Sequence, residues 1–362
     1  MSIMSETTVG RIRVLVADDS AVMRSAVSRL LQSDKDIHVV GVAKDGLNAV
    51  QQVAALNPDV VTLDLEMPVM NGLEALERIM RDYPRPVIMF SSLTVEGAEA
   101  TFDALALGAF DYVAKPANSA ASSAVRDELI AKIKAAYASR GRRAALHGQP
   151  KPGVLPPPPK TRAAEILGNV SLVCLGCSTG GPAALQRILP VLPADFPAPI
   201  VIVQHMPPGF TEPFARRLNG LCSLQVREAA QGQLLEPNTV SIAPAGWQTT
   251  VHGKGLKLFV NLSKEPVGML HMPSVDVMML SVAASCGHRA LGVILTGMGS
   301  DGERGMSALH ASGALTIGQD ERSCAVYGMP RVCAELGILD HILPLDEIPR
   351  ELLRAIRVPA IR

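Results

Sequence analysis

The chain has 362 residues, 48% of them hydrophobic, and its 34 basic and 34 acidic side chains leave a formal net charge of zero. That length allows two domains with separate cores, and neutrality argues against a nucleic-acid binder working through phosphate neutralisation. No apolar run approaches the ~20 residues of a membrane span, and the start MSIMSETTVGRIRVLVADD lacks a secretory signal, so direct membrane insertion is not expected and the cytoplasm is the expected location.

From Arg11 the pattern alternates apolar strands with amphipathic helices. Strands are expected near 12–17, 37–43, 59–63, 86–91 and 110–114, and helices over 20–32, 46–55, 72–82, 95–107 and 122–138. Successive βα units predict a doubly wound parallel sheet. The first strand ends in Asp18-Asp19 and the third in Asp64, within TLDLEMPVMNG. In an open parallel sheet the strands' carboxyl ends face one crevice, and three carboxylates there repel one another unless a cation neutralises them. A hard, oxygen-seeking ion such as Mg²⁺ suits them. The fourth strand ends in Ser91 and the fifth is followed by Lys115, a hydroxyl and an ammonium suited to a phosphoryl group's oxygens.

Acids at strand ends are usually helix caps. Five chemically matched positions in order are harder to assign to capping, and residues 11–138 resemble response-regulator receiver domains throughout. The resemblance implies the flavodoxin-like strand order 2-1-3-4-5. It makes Asp64 the phosphoacceptor, gives Asp18 and Asp19 a share in holding Mg²⁺, and makes Lys115 the phosphate contact. Ser91 and Tyr112 become the switch hydroxyl and the switch aromatic.

Residues 139–168 are rich in proline and arginine, with no acid between Leu129 and Ala164, and read as a semi-rigid linker. A second α/β pattern, 169–356, follows, with strands near 170–175, 199–204, 239–243, 291–296 and 314–318. The expected architecture is another doubly wound, three-layer domain, with a β-hairpin across 244–264 turning near 252–255.

Residues 176–182, GCSTGGP, follow the first of these strands and contain G-x-S-x-G, which holds a nucleophilic serine on a tight strand-to-helix turn. Gly176 and Gly180 would relieve crowding around Ser178, and Pro182 suits a first helical position. A dinucleotide site is disfavoured because G-x-G-x-x-G is absent and the next strand ends in Gln204-His205 rather than an acid. A Walker loop lacks its Gly-Lys-Ser/Thr. The pair Cys174 and Cys177 has no matching second pair for zinc, and Cys174 lies in a strand rather than at a helix start, so both read as buried thiols.

A serine nucleophile needs a base, and the base an orienting acid. His205 lies immediately past the strand PIVIVQ, and Asp301 follows LGVILT within TGMGSDG, so both emerge at the rim that carries Ser178. Other histidines fit less well: His252 falls in the hairpin, His310 in a helix and His288 at the opposite edge. His271 precedes PSVDVMML, where Ser274 reads as an N-cap and Asp276, the main rival to Asp301, as a first-turn acid facing the helix dipole.

GCSTGGP, QHMPPGFT, PSVDVMML and TGMGSDG stand in the order found in chemotaxis protein-glutamate methylesterases, which also carry an N-terminal receiver. The resemblance covers about residues 11–356. It implies a phosphorylation-regulated serine hydrolase that demethylates glutamate methyl esters on methyl-accepting chemotaxis receptors, releases methanol and deamidates receptor glutamines. The implied catalytic residues are Ser178, His205 and Asp301, with the backbone N–H groups of Thr179 and Met298 meeting the oxyanion and no cofactor at the esterase site. A chemotaxis histidine kinase is the implied phosphodonor, and the unphosphorylated receiver the implied inhibitor. The competing readings are a phosphorylation-gated binding module, a DNA-binding output, which lacks a helix-turn-helix pattern, and a related hydrolase with another substrate.

Overall fold

A computed structural model describes residues 10–92, 94–115, 122–146, 170–255 and 257–357. The chain divides into two compact units. In the first, the strands are β1 (Ile12–Ala17), β2 (Ile37–Ala43), β3 (Val60–Asp64), β4 (Val87–Ser91) and β5 (Asp111–Ala114), and the helices are α1 (Ala21–Gln32), α2 (Gly46–Leu56), α3 (Gly72–Asp82), α4 (Val95–Ala106) and α5 (Ser122–Leu146). All sheet pairs are parallel, in the order β2-β1-β3-β4-β5 expected from the resemblance. Every residue of β3 and β4 is buried, which matches their unbroken apolar runs. Short polar side chains start the first helices: Ser20 accepts from Met23 N, Asp45 from Asn48 N and Asn71 from Glu74 N. Helix α5 runs to Leu146, so residues 139–146 of the expected linker continue the helix, and 147–168 lie outside the described residues.

The second unit holds β6 (Leu172–Cys177), α6 (Gly181–Ile188), β7 (Ile200–Gln204), α7 (Thr211–Leu221), β8 (Gln225–Glu228), β9 (Thr239–Ile242), β10 (Gln248–Lys254), β11 (Lys257–Ser263), α8 (Val275–Cys286), β12 (Ala290–Ile294), α9 (Glu303–Ala311), β13 (Leu315–Gln319), α10 (Met329–Glu335), β14 (His341–Leu343) and α11 (Ile348–Arg357). Seven strands form one parallel sheet, β14-β13-β12-β6-β7-β9-β8, while β10 and β11 pair as the expected hairpin. The register Lys254↔Lys257 puts the hairpin's turn after Lys254, later than the spacing predicts. The two edge strands, β8 and β14, are the ones absent from the sequence reading. Their four and three residues alternate only weakly, because an edge strand buries less of each face.

Both sheets reverse their winding once. Chain progression runs outward from β1 to β2 on one side and from β3 to β5 on the other, and again from β6 to β7 on one side and from β12 to β14 on the other. The crevices at the carboxyl ends of β1/β3 and of β6/β12 are therefore topological switch points, where an open α/β sheet leaves room for a ligand. Asp18, Asp19 and Asp64 border the first; Ser178 and Asp301 border the second.

Candidate active site

Cys177 and Gln204 are paired residues of β6 and β7, and the next residue of each strand is Ser178 or His205. His205 N donates to Cys177 O at 3.2 Å, which keeps the two strand exits side by side. Ser178 N donates to Thr296 O at 3.0 Å, and Ser178 O accepts from Gly181 N at 2.8 Å and from the buried Gln204 side chain at 3.1 Å. The serine's backbone is thus held on three sides, while its side chain is half-buried at the rim.

The turn depends on its glycines, though not all for the expected reason. Gly180 caps α6 with φ 78, and a Cβ there would lie 2.5 Å from the Ala325 side chain. Gly176 makes room for Val275, whose side chain would lie 2.3 Å from a Cβ, rather than for Ser178. The glycine that does crowd the serine is Gly297, where a Cβ would sit 2.9 Å from Ser178 Cβ. Pro182 takes the second position of α6, one residue later than expected.

His205 and Asp301 meet at 2.8 Å, Nε2 to Oδ2, with both side chains about nine-tenths buried. Asp301 also accepts from Ser274 Oγ (2.8 Å), Val275 N (2.8 Å) and Asp276 N (2.9 Å). Three of its partners therefore belong to the N-terminus of α8, where unpaired N–H groups favour an anion. Burial pushes this carboxyl upward, but the His205 bond and the helix N–H donors outweigh burial and hold it at about 2. An ionised Asp301 only accepts, so Nε2 carries the proton and Nδ1 has the lone pair. That Nδ1 is buried and has no hydrogen-bond partner among the described residues.

Asp276 does more than face a dipole. Its Oδ1 accepts from Gly302 N at 3.0 Å and from Gly305 N at 2.8 Å, so it caps α9 while Asp301, just before α9, caps α8. The two acids tie the helices together reciprocally and set the turn that carries Asp301 and Met298. The N–H groups of Thr179 and Met298 donate to no other group among the described residues. Ser274 is the N-cap of α8, as the sequence predicts, and also a donor to Asp301. Cys174 and Cys177 are buried, free thiols that burial pushes far upward.

In the first unit, Asp18, Asp19 and Asp64 place a carboxylate oxygen each within 4.8 Å of one another. Lys115 Nζ lies 2.6 Å from Asp64 Oδ2 and 3.4 Å from Asp18 Oδ2. Burial, with some repulsion from Asp18, raises the Asp64 carboxyl to about 6 despite Lys115. Ser91 is fully buried at the end of β4 and its hydroxyl accepts from Thr101 Oγ1 at 2.8 Å. Tyr112 is also buried, with Lys132 Nζ 5.1 Å over its ring.

Residues 173–352 match the family described as CheB methylesterase, and residues 14–125 match the response regulator receiver domain. A protein-glutamate methylesterase/protein-glutamine glutaminase of Geobacter sulfurreducens is 43% identical over 359 residues, covering 97% of this chain and 99% of the relative. The chain belongs to this methylesterase family. A relative of the same name from Symbiobacterium thermophilum is 46% identical over 366 residues, covering 98% and 99% of the two chains. The crystal structure of the Thermotoga maritima CheB methylesterase catalytic domain superposes with a TM-score of 0.50 at 40% identity, over 51% of this chain and 97% of that one.

Within this methylesterase chain, sequence reasoning passed over two residues at the site. His271, set aside as a residue before a helix, stacks on the His205 ring with centroids 3.9 Å apart and planes 15° from parallel. Gln248 is fully buried; its Oε1 accepts from Ser274 N at 2.8 Å and its Nε2 donates to His271 O at 3.0 Å. A glutamine inside a hairpin strand carries no local signal of this task, since its partners lie more than 20 residues away.

Proposed function

We infer that this chain is a receiver-controlled serine hydrolase that demethylates glutamate methyl esters, and deamidates glutamines, on methyl-accepting chemotaxis receptors. The observation that carries the reading is the 2.8 Å pairing of His205 Nε2 with an Asp301 carboxylate locked by three further donors, at the rim where Ser178 leaves β6. This arrangement supports His205 Nδ1 as the general base. Ser178 Oγ attacks the γ-carbonyl of the methylated glutamate as its proton passes to Nδ1, and Asp301 stabilises the imidazolium. The N–H groups of Thr179 and Met298 receive the developing oxyanion. The tetrahedral species then expels methanol, protonated by His205, and leaves an acyl-serine. Water, deprotonated by His205, attacks the acyl carbon and releases glutamate and the serine hydroxyl. With glutamine the leaving group is ammonia. No cofactor enters these steps.

The receiver carries the control. Its all-oxygen donor set, with a lysine beside it, fits a hard divalent cation such as Mg²⁺ held by Asp18, Asp19 and Asp64. Bound there, the ion would supply charge neutralisation for a phosphoryl group. Asp64 accepts that group from a chemotaxis histidine kinase, Lys115 pairs with its oxygens, and Ser91 and Tyr112 respond to it. Among the described residues no helix is long and apolar enough to cross a membrane. Ser178→Ala should abolish methanol release from radiomethylated receptor membranes while Asp64 is still phosphorylated by acetyl phosphate. Persistent release would remove Ser178 from the mechanism.

A further inference from the structure

A hydrogen bond from Nε2 to one carboxylate oxygen fixes a single point of the imidazole. The ring can still tilt about that point, because the terminal torsion of a histidine is broad. On the proposed mechanism, tilting would carry Nδ1, the base, out of line with the serine. In this chain one face of the His205 ring is covered by the ring of His271, 3.9 Å away and 15° from parallel. The segment bearing His271 is anchored at two points by Gln248, through His271 O and Ser274 N, and Gly246 N bonds to Met272 O at 2.9 Å. The same short segment therefore delivers both the stacked ring and Ser274, a ligand of Asp301.

We propose that His271 is a positioning residue for the general base: its ring, laid flat on the His205 imidazole, fixes the plane in which Nε2 meets Asp301 and Nδ1 faces Ser178. The proposal rests on the reading of Ser178, His205 and Asp301 as the catalytic set. Two titratable groups face His271, namely His205 and Asp301. Burial and then repulsion from His205 lower its own ionisation to about 4, against the pull of Asp301, so at neutral pH its face is an uncharged π surface. The imidazolium formed on His205 during acylation lies against that surface, a favourable contact for a cation.

The test uses the full-length chain activated with acetyl phosphate, comparing His271→Ala, which removes the stack, with His271→Phe, which keeps an aromatic face. His271→Ala should lower kcat by about 10- to 100-fold with KM nearly unchanged, the scale of a small misplacement of a reacting group. His271→Phe should restore kcat. A wild-type kcat in His271→Ala, or a His271→Phe as slow as His271→Ala, overturns the proposal. Ser178→Ala and His205→Gln, assayed in parallel, keep the two readings apart. If they retain activity the catalytic set is wrong; if they are inactive while His271→Ala is normal, only the stacking role fails. Nitrogen NMR relaxation of histidine-labelled protein gives a readout independent of turnover: the His205 ring should be rigid in the wild type and mobile in a stack-free variant, with His271→Leu replacing alanine if that chain does not fold. A His205 ring equally rigid without the stack overturns the proposal equally.

Discussion

Replacing Asp301 by asparagine changes one oxygen to an NH₂ and removes one charge. The carboxylate accepts four bonds, two on each oxygen: Ser274 Oγ and Asp276 N on Oδ1, Val275 N and His205 Nε2 on Oδ2. An amide cannot satisfy both sets. With its NH₂ toward His205 it opposes Val275 N, donates to Nε2, moves the ring proton to Nδ1 and removes the lone pair that the proposed serine nucleophile needs. With its NH₂ toward Asp276 N, two donors face each other at the mouth of α8, at a cost of about 1–3 kcal/mol. In either orientation the imidazolium loses its counter-charge, and a triad acid replaced by its amide loses kcat by about 10⁴-fold. Stability should fall as well: a carboxyl held at about 2 rather than 3.8 contributes about 2 kcal/mol at neutral pH. Because the folded value lies below the unfolded one, that stabilisation is complete above about pH 4 and is lost as pH falls through about 2. The assay is methanol release from radiomethylated receptor membranes, paired with urea unfolding at pH 7 and pH 3. Activity within tenfold of the wild type in a folded Asp301→Asn would refute the reasoning.

Asp64 predicts the opposite pH behaviour. Its carboxyl titrates near 6 in the folded chain against 3.8 in the reference state, mainly through burial, so stability falls as pH rises across that interval and Asp64→Asn should flatten the dependence. At pH 7.5 the variant's receiver should melt a few degrees higher in the absence of divalent cations, and Mg²⁺ should raise the midpoint of the wild type alone; equal midpoints without Mg²⁺ would contradict this. Gly180→Ala puts a Cβ at φ 78 and 2.5 Å from Ala325 Cβ, a strain of about 1–3 kcal/mol. Thermal unfolding should register that loss, and kcat should drop more than KM rises because the strained turn carries Ser178; normal stability and turnover would show that the elbow tolerates the change.

The strand-end residues were legible because a parallel α/β sheet delivers strand ends to one rim, and strand ends can be read from apolar runs. Thus Ser178, His205 and Asp301, and likewise Asp18, Asp19 and Asp64, followed from topology plus residue type. What stayed hidden depends on pairing between segments distant in sequence. Nothing around His271 states that its ring will lie on His205, 66 positions earlier. Asp276 looked like a dipole acid because its own helix explains it; only the packing of α8 against α9 brings Gly302 N and Gly305 N onto it. The edge strands β8 and β14 were missed for a simpler reason, being too short for a period of two to show.

On the proposed function, the two switch points put one geometry to two chemistries through opposite treatment of a buried acid. Asp301 meets three donors at the mouth of α8 besides His205, so its charge is over-satisfied and would stay in place through the proposed reaction. Asp64 is desolvated by burial, with Lys115 and Glu66 N as its hydrogen-bond donors and Asp18 as a like-charged neighbour, so its charge is under-satisfied and its carboxyl rises to about 6. An over-satisfied carboxylate is a poor nucleophile and a good orienting group. An under-satisfied one gains by meeting a cation and an electrophilic phosphorus, which spreads its charge over more oxygens. Residue type alone does not separate these roles, since both are aspartates beyond apolar strands; the count of donors around each does.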